Sequence, residues 1–168
     1  NEEDKTKRLI LLFEGAAHIA TIYFNGKEIF QHKCGYTSFR VEITEYAKVG
    51  ENEILVKLDS RENRSIPPFG FVIDYLTYGG LYRDVFLDRR SSTYISDLFI
   101  KTPTLTSLQV DYTLDGKESG TILSEILDSK GNVVFSSSSD SLTFKKDGLN
   151  VSPWSPSSPT LYTLRSTL

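Results

Sequence analysis

The sequence predicts an all-β protein built as two sandwich units, and three observations carry that prediction. Apolar residues recur with period two in the first half, most plainly at Phe39, Val41 and Ile43 set against Arg40, Glu42 and Thr44, so one face of an extended segment is apolar and the other wet. Turn residues punctuate the chain at short intervals, at Asn25-Gly26, Asp115-Gly116, Lys130-Gly131-Asn132 and Asp147-Gly148. Helix-like spacing occurs only in GTILSEILDSKG, residues 120–131, where the short length and the neighbouring strands favour a strand.

Taken in order, the chain enters a strand at Arg8–Phe13 with no turn signal before it. In HIATIYFNGKEIF, Asn25-Gly26 separates two β-rich runs, and this dipeptide accepts positive φ at both central positions of a type I′ turn, so a tight hairpin is expected. The strand through Phe39, Val41 and Ile43 is followed by Gly50-Glu51-Asn52 and a second alternating set, Ile54, Val56 and Leu58; the two form either a hairpin or a facing pair across a sandwich. Residues 60–70, SRENRSIPPFG, are polar and hold two prolines, which cannot donate to a ladder, so they read as a loop of the kind that carries ligand contacts. Next comes FVIDYLTYGGLYRDVFL, residues 71–87, an apolar and aromatic run broken by Asp74, by Gly79-Gly80 and by Arg83-Asp84. The glycine pair permits a bulge or tight bend that aims the preceding loop. Arg83 and Asp84, as neighbours in a strand, would point to opposite faces and tie that strand to two different partners.

A composition shift at DRRSSTY, residues 88–94, sets a domain boundary, giving units 1–90 and 91–168. Beyond it, strand-like runs at YISDLFIKT, LQVDYTL, GTILSEILD, NVVFSSS, SLTFKK and LYTLRSTL fit a small immunoglobulin-like sandwich, with no cysteine pair to pin its sheets. The first unit offers fewer strands than two sheets need to cover a common core, and an uncovered face or edge is costly, so partner strands are expected upstream of residue 1. The absence of methionine, even at position 1, agrees with a piece of a longer polypeptide.

Charge and composition remove several classes of function. A net charge of −3 with 24% charged residues supplies no field that would draw the protein to nucleic acid or an anionic membrane. No stretch approaches the roughly 20 apolar residues that span a bilayer, so no membrane insertion is expected, and the N-terminus carries no signal-peptide pattern. Cys34 is the single cysteine; with no His-acid constellation around it in sequence, an inert thiol is expected. His18 and His32 lack a third ligand at metal spacing, so no metal centre is expected. Glu14 has no second carboxylate to pair with, which gives it a role within the fold. Asn63-Arg64-Ser65 and Asn150-Val151-Ser152 fit the glycosylation pattern, a signal too short to decide anything alone.

Four segments, LLFEGAAHIATIYFNGKEI, GENEILVKLD, DYLTYGGLYRDVFL and NVSPWSPSSPTLYTL, resemble in order and spacing the two N-terminal domains of glycoside hydrolase family 2, its β-galactosidases most closely. The resemblance implies a galactose-binding-like jelly-roll sandwich over residues 1–90, here without its opening strands, and an immunoglobulin-like sandwich over 91–168. It also implies a (β/α)8 barrel elsewhere in the parent, carrying two catalytic glutamates. Retaining glycosidases need carboxyl groups roughly 5–5.5 Å apart on one scaffold, and nothing in these residues follows the barrel's strand–helix alternation. The chain alone is therefore expected to be non-catalytic and without cofactor, while its parent hydrolyses terminal non-reducing β-D-galactosides.

Asp74, five residues before Gly79, matches the family's acid that reaches into the barrel mouth and binds the terminal sugar near a sodium ion. A carboxylate suits that task because it accepts charge-assisted bonds from vicinal hydroxyls. Tyr75, Tyr78, Tyr82 and Phe86 could stack on pyranose rings, but core packing is the favoured expectation. Trp154 matches the family's Trp-Ser-Pro segment and would pack on the sandwich or on the barrel. The implied partners are a terminal β-galactoside or other glycan, the barrel, and further copies in a homo-oligomer; bacterial periplasm or cytoplasm is the implied setting. Three rival readings stand beside this one: a free-standing carbohydrate-binding module, the front end of a β-glucuronidase or β-mannosidase, and a purely structural pair of sandwiches.

Overall fold

A computed structural model describes residues 2–67, 78–117 and 119–168. The chain divides into two compact units, Asn1–Ser91 and Ser92–Leu168, and both are antiparallel β-sandwiches.

In the first unit a 3₁₀ turn, Glu2–Thr6, precedes β1 (Arg8–Phe13), so the strand does not start abruptly as the sequence suggested. The turn closes through the Lys7 amide on the Asp4 carbonyl at 3.0 Å; a run of charged residues gives no periodic signal from which to read it. There follow β2 (Ala16–Ala17), β3 (Ile19–Phe24), β4 (Lys27–Lys33), β5 (Phe39–Glu42), β6 (Ile54–Asp59), β7 (Gly80–Leu81) and β8 (Val85–Arg90). Two three-stranded sheets, ordered β5-β1-β8 and β4-β3-β6, enclose the core, and β2 pairs with β7 beside them. Leu11 and Phe13 from one sheet and Ala20, Ile22 and Phe24 from the other are buried together with Phe39, Val41 and Ile43. Phe13 and Phe39 stack with centroids 4.8 Å apart. Each fully buried side chain of this size contributes roughly 1.5–3 kcal/mol.

The Asn25-Gly26 hairpin forms as expected, with φ of 49° and 80° and Phe24 opposite Lys27. Asn25 does more than turn the chain. Its side-chain amide donates to the Tyr46 carbonyl (3.1 Å) and to Asn52 Oδ1 (3.0 Å), and its Oδ1 accepts from the Glu53 amide (3.0 Å), tying the turn to the loop before β6. Of the two arrangements left open for β5 and β6, the facing pair is realised: β5 pairs with β1 and β6 with β3. Alternation tells which face of a strand is buried, not which strand lies beside it.

The second unit holds β9 (Tyr94–Lys101), β10 (Leu108–Asp115), β11 (Ile122–Leu127), β12 (Val133–Ser139), β13 (Thr143–Lys146) and β14 (Thr163–Thr167) in sheets ordered β13-β10-β9 and β12-β11-β14. Val110, Tyr112, Ile122 and Phe144 form its core. Residues 122–127 are strand, not helix, and leave it through a turn in which Asp128 Oδ1 accepts from the amides of Lys130 (2.8 Å) and Asn132 (2.9 Å). Where many immunoglobulin-like sandwiches place a disulfide between sheets, the Tyr112 hydroxyl on β10 crosses to Ser124 on β11 and Ser166 on β14, both at 2.8 Å.

Candidate functional site

Asp74 and Tyr75 lie outside the described residues; the described structure on either side forms a frame whose two ends are anchored. On the approach, Ile66 is buried, its amide donates to the Asn63 carbonyl (3.2 Å), and the Pro67 carbonyl accepts from the Gly35 amide (3.2 Å). On the exit, β7 pairs with β2, Gly80 opposite Ala17 and Leu81 opposite Ala16. Both glycines of the pair are required there, for different reasons. Gly80 has φ of 98°, in the left-handed region. At Gly79 an added Cβ would stand 2.5 Å from Ser60 Oγ and 2.9 Å from its Cβ, and Ser60 is itself held by a bond to the Ala17 carbonyl at 3.1 Å.

Tyr82 is half-buried and donates from its hydroxyl to the Gly35 carbonyl, which connects the exit to the same loop that grips the approach. Tyr78 and Phe86 correct the core expectation: both are exposed. Tyr78 precedes β7, and Phe86 sits on β8, an edge among the described residues, with its side chain on the face opposite the core, because its neighbours Val85 and Leu87 are the ones that pair with core residues Phe13 and Leu11. Arg83 and Asp84 also depart from expectation. They occupy the connection between β7 and β8, not a strand, so the opposite-faces argument does not apply. The Asp84 carbonyl accepts from the Glu14 amide (3.1 Å), and the Arg83 guanidinium lies 6.0 Å from the Tyr82 ring centroid. Glu14 thus meets the frame through its backbone.

His18, for which no chemistry was expected, directly follows Ala17 of β2. The Ala17–His18 peptide is cis, the His18 amide donates to the Asp59 carbonyl (3.1 Å), and the residue is 3% exposed with no hydrogen-bond partner for Nε2 among the described residues. The one sequence signal was its place as the sole polar group among small and apolar neighbours in GAAHIA. Beside it, hydrogen bonds from the Arg61 guanidinium and amide hold the Asp59 carboxyl well below the usual carboxylate range.

A second cluster lies around Thr37. His32 Nε2 is 2.8 Å from the Thr37 hydroxyl, and the imidazole stacks on Phe39 at 4.3 Å. Burial pulls the His32 pKa down, against a smaller upward pull from the Thr37 backbone. At Cys34 burial pushes the thiol up, but bonds from the Thr37 hydroxyl and from the amides of Tyr36 and Thr37 together outweigh it, and the net pKa is below the ordinary thiol value. Cys34 is half-buried, and its thiol is held below the ordinary cysteine value.

Trp154, in the second unit, is 59% exposed, so its own sandwich does not bury it. It borders a groove of about 650 Å³ with Leu105, Leu149, Leu161 and Tyr162. The loop that carries it is held by the Ser152 amide on the Tyr162 hydroxyl at 3.0 Å.

Comparison with known proteins places these units. Residues 1–67 match the family model described as glycosyl hydrolase 2 galactose-binding domain-like, and residues 93–168 match that of glycosyl hydrolases family 2. The chain is 37% identical over 176 aligned residues to a β-galactosidase of Thermoanaerobacter pseudethanolicus, covering 96% of this chain and 24% of the relative. It is 43% identical over 102 residues to a β-glucuronidase of Bacteroides fragilis, covering 60% of this chain and 14% of that protein. The fold superimposes with a TM-score of 0.82 on a Bifidobacterium dentium β-glucuronidase at 22% identity, covering 99% of this chain and 34% of that one. The chain thus spans about a quarter of the length of its β-galactosidase relative. With a galactose-binding-like sandwich followed by an immunoglobulin-like one, both matched by the same family's models, the chain belongs to glycoside hydrolase family 2.

Proposed function

We propose that these residues are the non-catalytic front part of a retaining family 2 glycosidase that removes terminal non-reducing β-D-galactose, and that they shape its sugar pocket and brace its catalytic barrel. The observation that carries the reading is the 37% identity to a β-galactosidase across 96% of the chain. The anchored frame supports a role for the segment it holds: Pro67 and Gly80 are fixed by backbone bonds, which suits a loop that must present Asp74 to a sugar at a repeatable position. In this reading Asp74 accepts hydrogen bonds from sugar hydroxyls, Gly79 and Gly80 let the loop close against Ser60 and β2, and exposed Trp154 packs on the barrel. Self-association of the parent into a homo-oligomer belongs to the same proposal.

A second reading, the front end of a β-glucuronidase, is favoured by the 43% identity over 102 residues to the Bacteroides fragilis enzyme. The longer polypeptide assayed on aryl β-D-galactoside and aryl β-D-glucuronide, with residues 1–168 as the blank, separates the two. Turnover of the galactoside by the longer protein and none by the blank is expected; preference for the glucuronide transfers the proposal to the second reading. Measurable sugar affinity of the blank alone would favour a free-standing binding module.

A further inference from the structure

Asn25-Gly26 is the one Asn-Gly pair in the sequence, and its two halves are held very differently. Gly26 is open: nothing stands within 4 Å of where a Cβ would be, and its amide has no hydrogen-bond partner among the described residues. Asn25 is exposed as well, yet its side chain is tied at both ends. Nδ2 donates to the Tyr46 carbonyl (3.1 Å) and to Asn52 Oδ1 (3.0 Å), and Oδ1 accepts from the Glu53 amide (3.0 Å). The Asn25 amide adds a bond to the same loop, donating to the Glu53 carbonyl at 2.9 Å. Asn52 is itself fixed, accepting from the Lys48 amide (3.0 Å) and donating to the Lys48 and Gly50 carbonyls (2.8 and 3.1 Å).

Such a pair carries a reaction within itself. The Gly26 nitrogen bonds to Asn25 Cγ and gives its proton to solvent, while the Cγ–Nδ2 bond breaks and Nδ2 leaves as ammonia with a proton from water. Water then opens the succinimide ring at either carbonyl, leaving aspartate or isoaspartate. Ring closure eclipses the bond to the Gly26 nitrogen with the Cα–Cβ bond of Asn25, a backbone angle far from that of a type I′ turn. It also needs Cγ turned onto that nitrogen, whereas the staple holds the side-chain amide on residues 46–53. The nucleophile is free and the electrophile is locked.

We propose that Asn25 is a latent deamidation site, gated by Asn52, whose modification detaches the β3–β4 turn from the loop before β6. A carboxylate at position 25 has no donor for the Tyr46 carbonyl and sets its charge against Asn52 Oδ1, so the staple does not re-form. Isoaspartate also lengthens the main chain by a methylene inside the two-residue turn between Phe24 and Lys27, which opposes their pairing. Each opening that reacts is therefore not recovered.

The test is the rate of conversion at Asn25 in the full-length protein at mildly alkaline pH, read by peptide mass spectrometry with the aspartate and isoaspartate forms separated. The folded protein is expected to react about 10-fold or more slowly than the same chain unfolded in urea, because reaction waits on local opening. Asn52→Ala removes one acceptor and is expected to raise the folded rate about 5-fold, the scale of one hydrogen bond. Equal rates for folded and unfolded chain overturn the latency, and an unchanged rate in Asn52→Ala overturns the gating. Should Asn52→Ala fail to fold, Asn52→Ser, whose hydroxyl is too short to reach Asn25, is read by the same criterion.

Discussion

At the scale of single residues, Thr37 and Cys34 show how a short polar group retunes a neighbour. The thiol's lowered pKa rests on donated bonds that outweigh burial, and the Thr37 hydroxyl is the largest of these. Alkylation of Cys34 by iodoacetamide, followed against pH, is expected to rise at a lower pH than for a free cysteine, whose pKa is about 8.5. Thr37→Val removes the hydroxyl donor and is expected to move that rise to higher pH; an unchanged profile would mean that the amides alone set the thiol. This chemistry was hidden in the sequence because Cys34, Thr37 and His32 form no motif by spacing and meet only through the bend at residues 34–38. His18 was hidden for a related reason: burial of an imidazole with an unpartnered nitrogen is a tertiary property, and GAAHIA has only composition to hint at it.

At the scale of elements, period-two patterning located most strands, since alternation is itself the physical consequence of one wet and one buried face. Pairing was less legible. The patterns of β5 and β6 are alike, and only the path of the chain puts them in opposite sheets. Arg83-Asp84 read as strand because YRDVFL is β-rich throughout, whereas the strand begins at Val85. The Asn25 turn was legible as a turn, but not as the staple to residues 46–53. Its two tasks can be separated. Asn25→Gly keeps the left-handed backbone and loses the staple, whereas Asn25→Ala also pays backbone strain; denaturant unfolding is expected to cost about 1–2 kcal/mol for the first and about 1 kcal/mol more for the second. In the second unit Tyr112→Phe strips the tie between sheets and leaves Ser124 and Ser166 without that partner, an expected loss of about 1–2 kcal/mol with the fold retained. A loss near zero would show that packing alone joins those sheets.

At the scale of the whole molecule, four dispersed segments resembled the family that the family models then matched. Acid should act on both units in one direction. Asp59 in the first unit and Asp111, Glu125 and Asp128 in the second all have pKa values lowered in the fold, chiefly by hydrogen bonds from side chains and amides, as Asp111 has from Lys101 at 2.6 Å. Groups whose folded pKa lies below the unfolded one stabilise above the unfolded value, about 3.9 for Asp and 4.3 for Glu, and that stabilisation drains as pH falls through the folded values. The melting temperature of the protein is therefore expected to fall steadily below about pH 4. Asp111→Asn should flatten that limb for the second unit, and an unaltered limb would show that the Lys101 pair is screened by solvent.

The proposed contact between Asp74 and the sugar is tested by kcat/KM of the full-length protein on aryl β-D-galactoside, with Asp74 intact and with Asp74→Ala. A fall equivalent to about 1–3 kcal/mol in transition-state binding, with thermal stability unchanged, is the predicted result. Equal kcat/KM for the two proteins would contradict it, leaving the first sandwich as a brace with no hand on the substrate.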